Sequence, residues 1–356
     1  MESLSPIQEQ IVKTDKEKVV VMSSAASGKT QTMISRLEYL LDNGVNPEEI
    51  VMITFTNLAA AEMKERLGNK ADKVFINTIH SYAYYLLKSN GFDVTEYVEQ
   101  EQFDEFFPMI EEHPEVIKHV QYLIVDEFQD SSEDQVHFMI DMIQPDNWMV
   151  VGDIRQSIYR WRKARPDLML ELMSRRNVYT FDMDENYRNG SNILQYAKRI
   201  INPLGSDYFD FSITMRDEKG TVLEMEYDLE TLFQHVLRHL AEEGENYGDW
   251  FILSRTNAEA INIENYFMSK GIPCSSFKKG SLSYSALQEK MKENTVKVLT
   301  IHQSKGLEAK NVAVVGAQYY NEEERCISYV AATRARDLLI WCKPKKKKKA
   351  RTFKWE

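Results

Sequence analysis

Cysteine and long apolar runs are the features that this sequence lacks. Its 356 residues contain three cysteines, Cys274, Cys326 and Cys342, without C-x-x-C spacing, so disulfide frameworks, zinc ribbons and iron–sulfur clusters are unsupported. No apolar run reaches the roughly 18 residues of a membrane helix, and the polar N-terminus lacks the apolar core of a secretory signal. We therefore expect a cytoplasmic protein without a membrane partner.

The overall composition is that of a folded, water-soluble protein, with 43% hydrophobic and 28% charged residues. The length predicts two domains, since a domain commonly takes roughly 100 to 200 residues. The net charge of -11 is unevenly distributed, because residues 343–356 hold seven lysines and one arginine against a single acid. Either this basic tail contacts phosphates by counterion release, or it is a solvated terminus.

Short apolar runs alternate with helical patterns along the chain, which predicts an α/β fold. A strand at 19–22 precedes a helix at 28–42, and a strand at 50–55 precedes a helix at 57–67. The apolar runs at 122–125 and 148–151 are each followed within two residues by an acid. The carboxyl ends of such parallel strands form the edge where ligands bind. A second series of strands and helices begins after residue 181, whereas 205–220 has no clear period.

The first strand leads into a candidate phosphate loop, which we define as residues 23–30, with the sequence S-S-A-A-S-G-K-T. In a P-loop the backbone N–H groups and a helix N-terminus hold phosphate, the lysine reaches the β- and γ-phosphates, and the threonine hydroxyl binds Mg²⁺. Ala26 departs from the usual pattern, because alanine is disfavoured by about 1 kcal/mol where φ is positive. A plain Ser/Ala-rich turn is the alternative. The predicted nucleotide-binding residues of the loop are Ser24, Ala25, Ala26, Ser27, Gly28, Lys29 and Thr30.

Paired carboxylates, Asp126 and Glu127, end the apolar run at 122–125. A buried strand that ends in two acids favours two functional carboxylates with separate roles over a pair of acids in a solvated surface turn. Asp126 would hold Mg²⁺ together with Thr30, while Glu127 would orient and deprotonate the attacking water.

Together with further motifs, these residues resemble the UvrD/Rep/PcrA family of superfamily 1 DNA helicases. Eight or more motifs occur in the family's order over nearly the whole chain, which makes coincidence negligible. They are L-S-P-I-Q at 4–8, T-F-T-N at 54–57, N-T-I-H-S at 77–81, V-D-E-F-Q-D at 125–130, V-G-D-I-R-Q-S-I-Y-R-W-R at 151–162, E-N-Y-R at 185–188, L-S-R-T-N at 253–257, T-I-H-Q-S-K-G-L-E at 300–308 and Y-V-A-A-T-R-A at 329–335.

The resemblance implies two RecA-like P-loop domains with parallel central sheets, ATP between them and single-stranded DNA across both. We place the N-terminal domain at 1–182, with a reduced accessory insertion at 82–120 that is expected to be a pair of helices. The C-terminal domain would span 183–342, with a vestigial insertion at 275–295, followed by the basic tail at 343–356. ATP and Mg²⁺ are the implied cofactors.

The resemblance also assigns residues outside the phosphate loop to ATP. Gln8 would read adenine, Tyr187 would stack on it, and Glu308 would contact the ribose. Arg188 and Arg334 would be arginine fingers from the second domain, each worth about 10³ to 10⁵ in rate. An isolated arginine of this kind would otherwise be interpreted as a salt-bridge partner.

Gln156 would sense the γ-phosphate and couple it to DNA. A motor that is indifferent to sequence needs aromatic side chains on which bases stack. Core packing is the alternative for Trp161. The residues predicted to contact DNA are Phe55, Asn57, His80, Tyr159, Trp161, Arg162, Arg255, Thr300 and His302.

Three departures from the family pattern stand out. Gln31 replaces an arginine that commonly packs on adenine, and Ile154 with Arg155 replaces an acidic pair. The two accessory insertions are also very short.

We therefore predict a minimal 3'-to-5' single-stranded DNA translocase with DNA-stimulated ATP hydrolysis, in which unwinding is weak or depends on a partner. The direction comes from the resemblance alone. One alternative is an ATP-binding regulatory subunit that gates a partner nuclease or other effector. A second alternative is an RNA track, for which the sequence shows no 2'-hydroxyl-reading feature.

Overall fold

A computed structural model describes residues 4–244, 246–276 and 283–344. The chain divides into two compact units. The first contains the residues up to Tyr187 together with Ile201–Met215, and the second contains Arg188–Ile200 and most of the chain after Arg216. The first unit thus runs past the division predicted after Asp182. The basic tail beyond Pro344 lies outside the described residues.

The first unit is built on a six-stranded parallel sheet with the strand order β3-β2-β4-β5-β1-β6. The strands predicted at 19–22, 50–55, 122–125 and 148–151 are present, with ends that shift by at most one residue. The strands are β1 (Lys18–Ser23), β2 (Ile50–Thr54), β3 (Phe75–Thr78), β4 (Tyr122–Val125), β5 (Asn147–Gly152) and β6 (Tyr179–Met183). A separate parallel pair is formed by β7 (Glu185–Asn186) and β8 (Ile213–Thr214).

Helices cover both faces of this sheet, because alternate residues of each strand face opposite sides. Val19 and Val21 pack against α1, α2 and α3, whereas Val20 and Val150 pack on the side of α4, α6 and α8. The helices are α1 (Pro6–Lys13), α2 (Lys29–Asp42), α3 (Asn57–Leu67), α4 (Ile79–Ser89), α5 (Thr95–Glu99), α6 (Phe106–Glu112), α7 (Glu133–Val136) and α8 (Asp167–Ser174). The insertion predicted as a pair of helices contains α5, α6 and most of α4.

Hydroxyl side chains begin the helices that follow the motif strands. Thr56 accepts a hydrogen bond from the N–H of Ala59 at 3.1 Å, and Thr78 accepts one from Ser81 at 3.3 Å. Each bond satisfies an N–H that has no partner in the first helical turn. The start of each helix is therefore fixed directly beyond the sheet edge, where the predicted site residues lie.

The second unit also has a six-stranded parallel sheet, ordered β11-β12-β10-β13-β14-β9. Trp250 and Ile340 are buried on one face under α10 and α11. The elements after residue 188 are α9 (Ser191–Ile201), β9 (Thr221–Glu226), α10 (Leu229–Glu243), β10 (Trp250–Ser254), α11 (Asn257–Ser269), β11 (Cys274–Ser275), α12 (Tyr284–Lys292), β12 (Val296–Thr300), β13 (Ala309–Val315), α13 (Glu322–Ala332) and β14 (Ala335–Lys343).

The parallel order of both sheets confirms the predicted fold class of two RecA-like domains. The stretch at 205–220, predicted as loop, is irregular except for a short 3-10 turn and β8. The vestigial insertion at 275–295 contains α12, and its residues 277–282 lie outside the described part. Within the described residues, no helix has the length and apolar character needed to cross a membrane.

Candidate nucleotide and nucleic-acid sites

The phosphate loop connects β1 to α2 at the carboxyl edge of the first sheet. Two of its residues have left-handed backbones, Ala26 with φ 57° and Gly28 with φ 83°. A Cβ atom at Gly28 would lie 2.5 Å from Nε2 of Gln8, so the close approach of that amide also demands glycine. The strain that the sequence predicted at Ala26 is therefore present.

Three successive carbonyl groups of the phosphate loop accept hydrogen bonds from elsewhere in the first unit. The carbonyl of Ala25 accepts from Nδ2 of Asn186 at 2.9 Å, and that of Ala26 accepts from the N–H of Tyr187 at 3.1 Å. The carbonyl of Ser27 accepts from Nε2 of Gln8 at 3.0 Å. Anchored carbonyls leave the opposite side of the loop for N–H groups to face an anion. The two residues predicted to bind adenine, Gln8 and Tyr187, thus border the loop.

Lys29 and the paired acids meet beside this loop. Nζ of Lys29 lies 2.7 Å from Oε1 of Glu127, and Nε2 of Gln129 donates to Oε2 of Glu127 at 2.6 Å. Glu127 has a left-handed backbone with φ 51°, a strained conformation of the kind found at functional sites. Asp126 is 7% exposed and its Oδ1 accepts the N–H of Glu127 at 2.8 Å. The β4 strand therefore delivers both acids to the phosphate loop, as the sequence predicted.

The donor set at this edge fits a magnesium ion that arrives with a nucleotide. Mg²⁺ prefers a few protein oxygens and retains sites for water and phosphate. Thr30 supplies a hydroxyl in the first turn of α2, and Asp126 supplies a buried carboxylate at the end of β4. These are the two residues that would hold the ion.

Gln156 lies in the turn after β5, which neighbours both β4 and β1 in the sheet. Its side chain is buried, and its Nε2 donates to Oδ2 of Asp153 at 2.8 Å. The predicted γ-phosphate sensor is therefore held on a carboxylate at the same sheet edge as Lys29 and Glu127.

Three aromatic side chains form an aromatic platform in the first unit, namely Phe55, Tyr159 and Trp161. The rings of Phe55 and Tyr159 are stacked with centroids 4.9 Å apart, and Trp161 follows at 6.3 Å from Tyr159. Trp161 is 65% exposed, which excludes the core-packing alternative. The guanidinium of Arg162 lies 4.7 Å from the Trp161 ring centroid and adds a cation to this surface.

A cavity of about 740 Å³ in the first unit joins this platform to the acids. Phe55, Trp161, Asp126 and Glu127 all line it. Its other wall comes from the start of α4 and from the accessory insertion, and Nε2 of His80 in α4 lies 2.9 Å from Oδ1 of Asp104 in the insertion. Asn57 is the first residue of α3, beside the same edge.

In the second unit, the two predicted arginine fingers and Glu308 form one cluster. Nε of Arg188 lies 2.5 Å from Oε2 of Glu308, and Nη1 of Arg188 donates to the carbonyl of Thr333 at 3.2 Å. Arg334 is 2% exposed and donates to the carbonyls of Val330 and Leu307. Burial opposes ionisation of Glu308, but the charge of Arg188 outweighs it and lowers the pKa of that carboxyl.

The predicted DNA contacts of the second unit follow β10 and β12. Arg255 makes a two-pronged bond to Glu324, with Nη2 to Oε1 at 2.7 Å and Nε to Oε2 at 3.0 Å, and this bond raises the pKa of Arg255. Thr300 ends β12, and its hydroxyl accepts the N–H of Gln303 at 3.3 Å. His302 lies two residues after Thr300, in the turn that follows β12. All three lie at the carboxyl edge of the second sheet.

Sequence reasoning missed three residues that hold the site together. Gln129 is fully buried and links Glu127 to the N–H of Asp153, and Asn186 anchors the phosphate loop. Gln129 and Asn186 lie inside motifs already recognised, so motif membership was the available signal. No local pattern indicated that Asp104 would reach His80, because that contact depends on how α4 and the insertion pack.

We expect Ala26→Gly to raise the free energy of unfolding by about 0.5–1 kcal/mol, because relief of the left-handed strain exceeds the entropy that glycine adds to the unfolded chain. Urea denaturation measures this change. The matched control is Ala25→Gly, since Ala25 is buried but not among the residues with positive φ. Stabilisation by the control, or destabilisation by Ala26→Gly, would contradict the account of the loop.

Each of the two units resembles a domain of known proteins. Residues 4–117 and 114–177 match the UvrD/REP helicase N-terminal domain, and residues 181–282 and 276–346 match the UvrD-like helicase C-terminal domain. The chain is similar to the ATP-dependent DNA helicase PcrA of Staphylococcus aureus (strain Mu50), with 25% identity over 374 residues, 75% of this chain and 50% of that protein. The PcrA of Staphylococcus epidermidis (strain RP62A) is also 25% identical, over 384 residues, 77% of this chain and 50% of that protein.

The chain thus spans about half the length of the curated relatives that it matches. The matched domains nevertheless cover nearly all of the chain, in the order of its two sheets. The chain belongs to the UvrD/Rep/PcrA family of superfamily 1 helicases.

Proposed function

We propose that the chain is an ATP-driven 3'-to-5' translocase on single-stranded DNA, with DNA-stimulated ATP hydrolysis and weak or partner-dependent unwinding. The observation that carries this proposal is the cavity of the first unit. One continuous surface there contains the candidate catalytic acids, Asp126 and Glu127, together with the half-buried ring of Phe55 and the exposed ring of Trp161. Because the acids and the aromatic rings share this surface, hydrolysis of the γ-phosphate can be coupled to movement of a base that is stacked on the rings.

The proposed chemistry is hydrolysis of the γ-phosphate of ATP. The phosphate loop and Lys29 bind the phosphates, and this requires Lys29 to move its charge from Glu127 to the nucleotide. Release of that ion pair frees the Glu127 carboxylate to orient and deprotonate a water molecule. Gln129 keeps the carboxylate in place through its other oxygen. Magnesium, when bound with ATP, neutralises phosphate charge, and Thr30 and Asp126 are the residues that would hold it.

The proposed track is single-stranded DNA, for which stacking supplies affinity without sequence preference. The PcrA relatives are named DNA helicases, which supports DNA over RNA. The 3'-to-5' direction rests on the family resemblance. The short insertions at 82–120 and 275–295 offer little protein with which to grip a duplex, and this supports translocation with weak unwinding.

We expect Trp161→Ala to weaken binding of single-stranded DNA about 5- to 150-fold, the equivalent of roughly 1–3 kcal/mol for one lost base stack. Fluorescence anisotropy with a labelled oligothymidylate measures the change. The matched control is Tyr179→Ala, because Tyr179 is 48% exposed but begins β6, at the opposite end of the strands. Equal losses of DNA affinity in both variants, or no loss in Trp161→Ala, would show that the aromatic platform does not contact DNA.

Turnover assays with and without nucleic acid test the proposed function as a whole. Hydrolysis that single-stranded DNA stimulates more than RNA supports the DNA motor, and displacement of streptavidin from the 5' end of an oligonucleotide but not from the 3' end supports the direction. ATP binding without turnover would instead support the regulatory subunit that gates a partner nuclease or other effector. ATP hydrolysis that is stimulated by RNA alone would make RNA, and not DNA, the track.

A further inference from the structure

Arg155, a departure from the family's motif, is a buried cation that the proposed function leaves unexplained. Its side chain is 7% exposed and lies between two fully buried carboxylates. Nε lies 2.6 Å from Oδ1 of Asp153, and Nη1 lies 3.3 Å from Oδ1 of Asp210. A guanidinium presents its donors in a fixed planar arrangement, so buried carboxylates around it are held in definite positions.

The same guanidinium reaches two parts of the ATP site. Nη2 of Arg155 donates to Oγ of Ser24 in the phosphate loop at 3.3 Å. Asp153, which Arg155 binds through one oxygen, accepts Nε2 of Gln156 through its other oxygen at 2.8 Å. Arg155 is therefore linked to the phosphate loop by one hydrogen bond, and to Gln156, the predicted γ-phosphate sensor, by two successive hydrogen bonds through Asp153.

These bonds belong to a circuit that begins and ends in the phosphate loop. Beyond Asp153 the circuit continues through Gln129, whose Oε1 accepts the N–H of Asp153 at 3.0 Å. Gln129 then donates to Glu127 at 2.6 Å, and Glu127 lies 2.7 Å from Lys29. In a buried network of this kind each hydrogen bond restrains the groups beside it, so displacement of one side chain shifts the others.

Asp210 brings a distant part of the chain into this circuit. We call residues 201–215 the returning segment, because they group with the first unit although the chain on both sides of them groups with the second. Asp210 is 1% exposed, and the carbonyl of Phe209 also accepts from Nη1 of Arg155 at 3.3 Å. The Asp210 carboxylate accepts the N–H of Ser212 at 2.9 Å, which fixes its own position.

We propose that Arg155 is a positioning residue that ties the returning segment to the phosphate loop and to Gln156, so that the geometry of the ATP site follows the state of that segment. The returning segment continues into the second unit at both ends. A displacement of the chain on either side of the segment is therefore transmitted through Asp210 to the ATP site. The inference rests on the proposed ATPase activity and adds its regulation by this link.

Two variants break the link in different ways. Asp210→Asn keeps the shape of the side chain and removes its charge, while Arg155→Lys keeps the charge and removes the planar array of donors. The matched control is Asp207→Asn, the same change at an exposed position of the returning segment. Thermal unfolding of each variant establishes that it is folded before any activity is compared.

The first readout is the affinity for the fluorescent analogue mant-ATP, measured without DNA. We expect Arg155→Lys and Asp210→Asn each to weaken it about 2- to 30-fold, and Asp207→Asn to leave it unchanged. The second readout is the ratio of DNA-stimulated to unstimulated kcat, which should fall by a similar factor in the two variants. The double variant should be little worse than either single variant, because both changes break the same link.

Wild-type mant-ATP affinity in both single variants would overturn the inference, and so would strictly additive losses in the double variant. A wild-type protein that hydrolyses ATP without DNA stimulation would overturn the proposed translocase, whereas the mant-ATP comparison would still test the link to the phosphate loop. If Asp210→Asn does not fold, Arg155→Lys and the control decide through the same two measurements.

Discussion

Glu127→Gln is expected to lower the kcat for ATP hydrolysis by about 10²- to 10⁴-fold, the contribution typical of a positioned general base. The amide cannot accept a proton from water, although it keeps the size of the carboxylate. Binding of ATP should persist and become tighter, because Lys29 loses the ion pair with Glu127, 2.7 Å away, that competes with the phosphates for its charge. Steady-state turnover and mant-ATP binding measure the two effects separately.

Glu133→Gln is the matched control for this change, since Glu133 is an exposed acid at the start of α7, the helix that follows the paired acids. It should hydrolyse ATP at the wild-type rate. Turnover of Glu127→Gln within about threefold of wild type would assign the general base to another residue. Loss of both binding and turnover would instead show that Glu127 maintains the loop.

Arg188→Ala and Arg334→Ala are expected to lower the DNA-stimulated kcat by about 10³- to 10⁵-fold, the range measured for arginine fingers. In the arginine-finger role that the family resemblance implies, each side chain supplies a cation that stabilises negative charge on the transferred phosphoryl group. ATP affinity should fall much less than kcat, because this stabilisation appears in the transition state. Single-turnover hydrolysis with saturating oligothymidylate measures the effect.

Arg336→Ala is the matched control, because Nη1 of Arg336 lies 3.5 Å from the Glu308 carboxylate but its side chain is 48% exposed. It should retain most of the turnover. Arg188 is the more decisive of the two positions, since truncation of buried Arg334 also removes a hydrogen-bond donor from each of the carbonyls of Val330 and Leu307. An Arg188→Ala variant as active as Arg336→Ala, with an unchanged melting temperature, would reduce Arg188 to a salt-bridge partner of Glu308.

The sequence predicted the local elements well because their signals are local. The apolar run at 122–125 became β4, with Asp126 and Glu127 directly after it. The helix predicted at 57–67 is α3, and the hydroxyl of Thr56 caps its start. The positive φ at Ala26 follows from the geometry of the loop itself. Each of these outcomes depends on residues only a few positions apart.

The division of the chain and the wall of the cavity were less accessible to sequence reasoning. The returning segment joins the first unit after the chain has already entered the second, and the period of the sequence gives no sign of this. The position of Asp104 beside His80 likewise depends on the packing of α6 on α4, which was predicted only as a reduced insertion. Burial of Arg155 was not foreseen, because an arginine in a loop between strands is ordinarily exposed.

By itself, the sequence determined the α/β class, the phosphate loop and the order of the motifs, since these are written in short runs of residue type and spacing. Tertiary structure alone decided that Arg155 would lie between Asp153 and Asp210, and that Gln129 would link Glu127 to Asp153. The physical reason is that a buried charge is stable only where opposite charges and hydrogen-bond partners converge on it. Here the partners of Arg155 converge from three separate stretches of the chain.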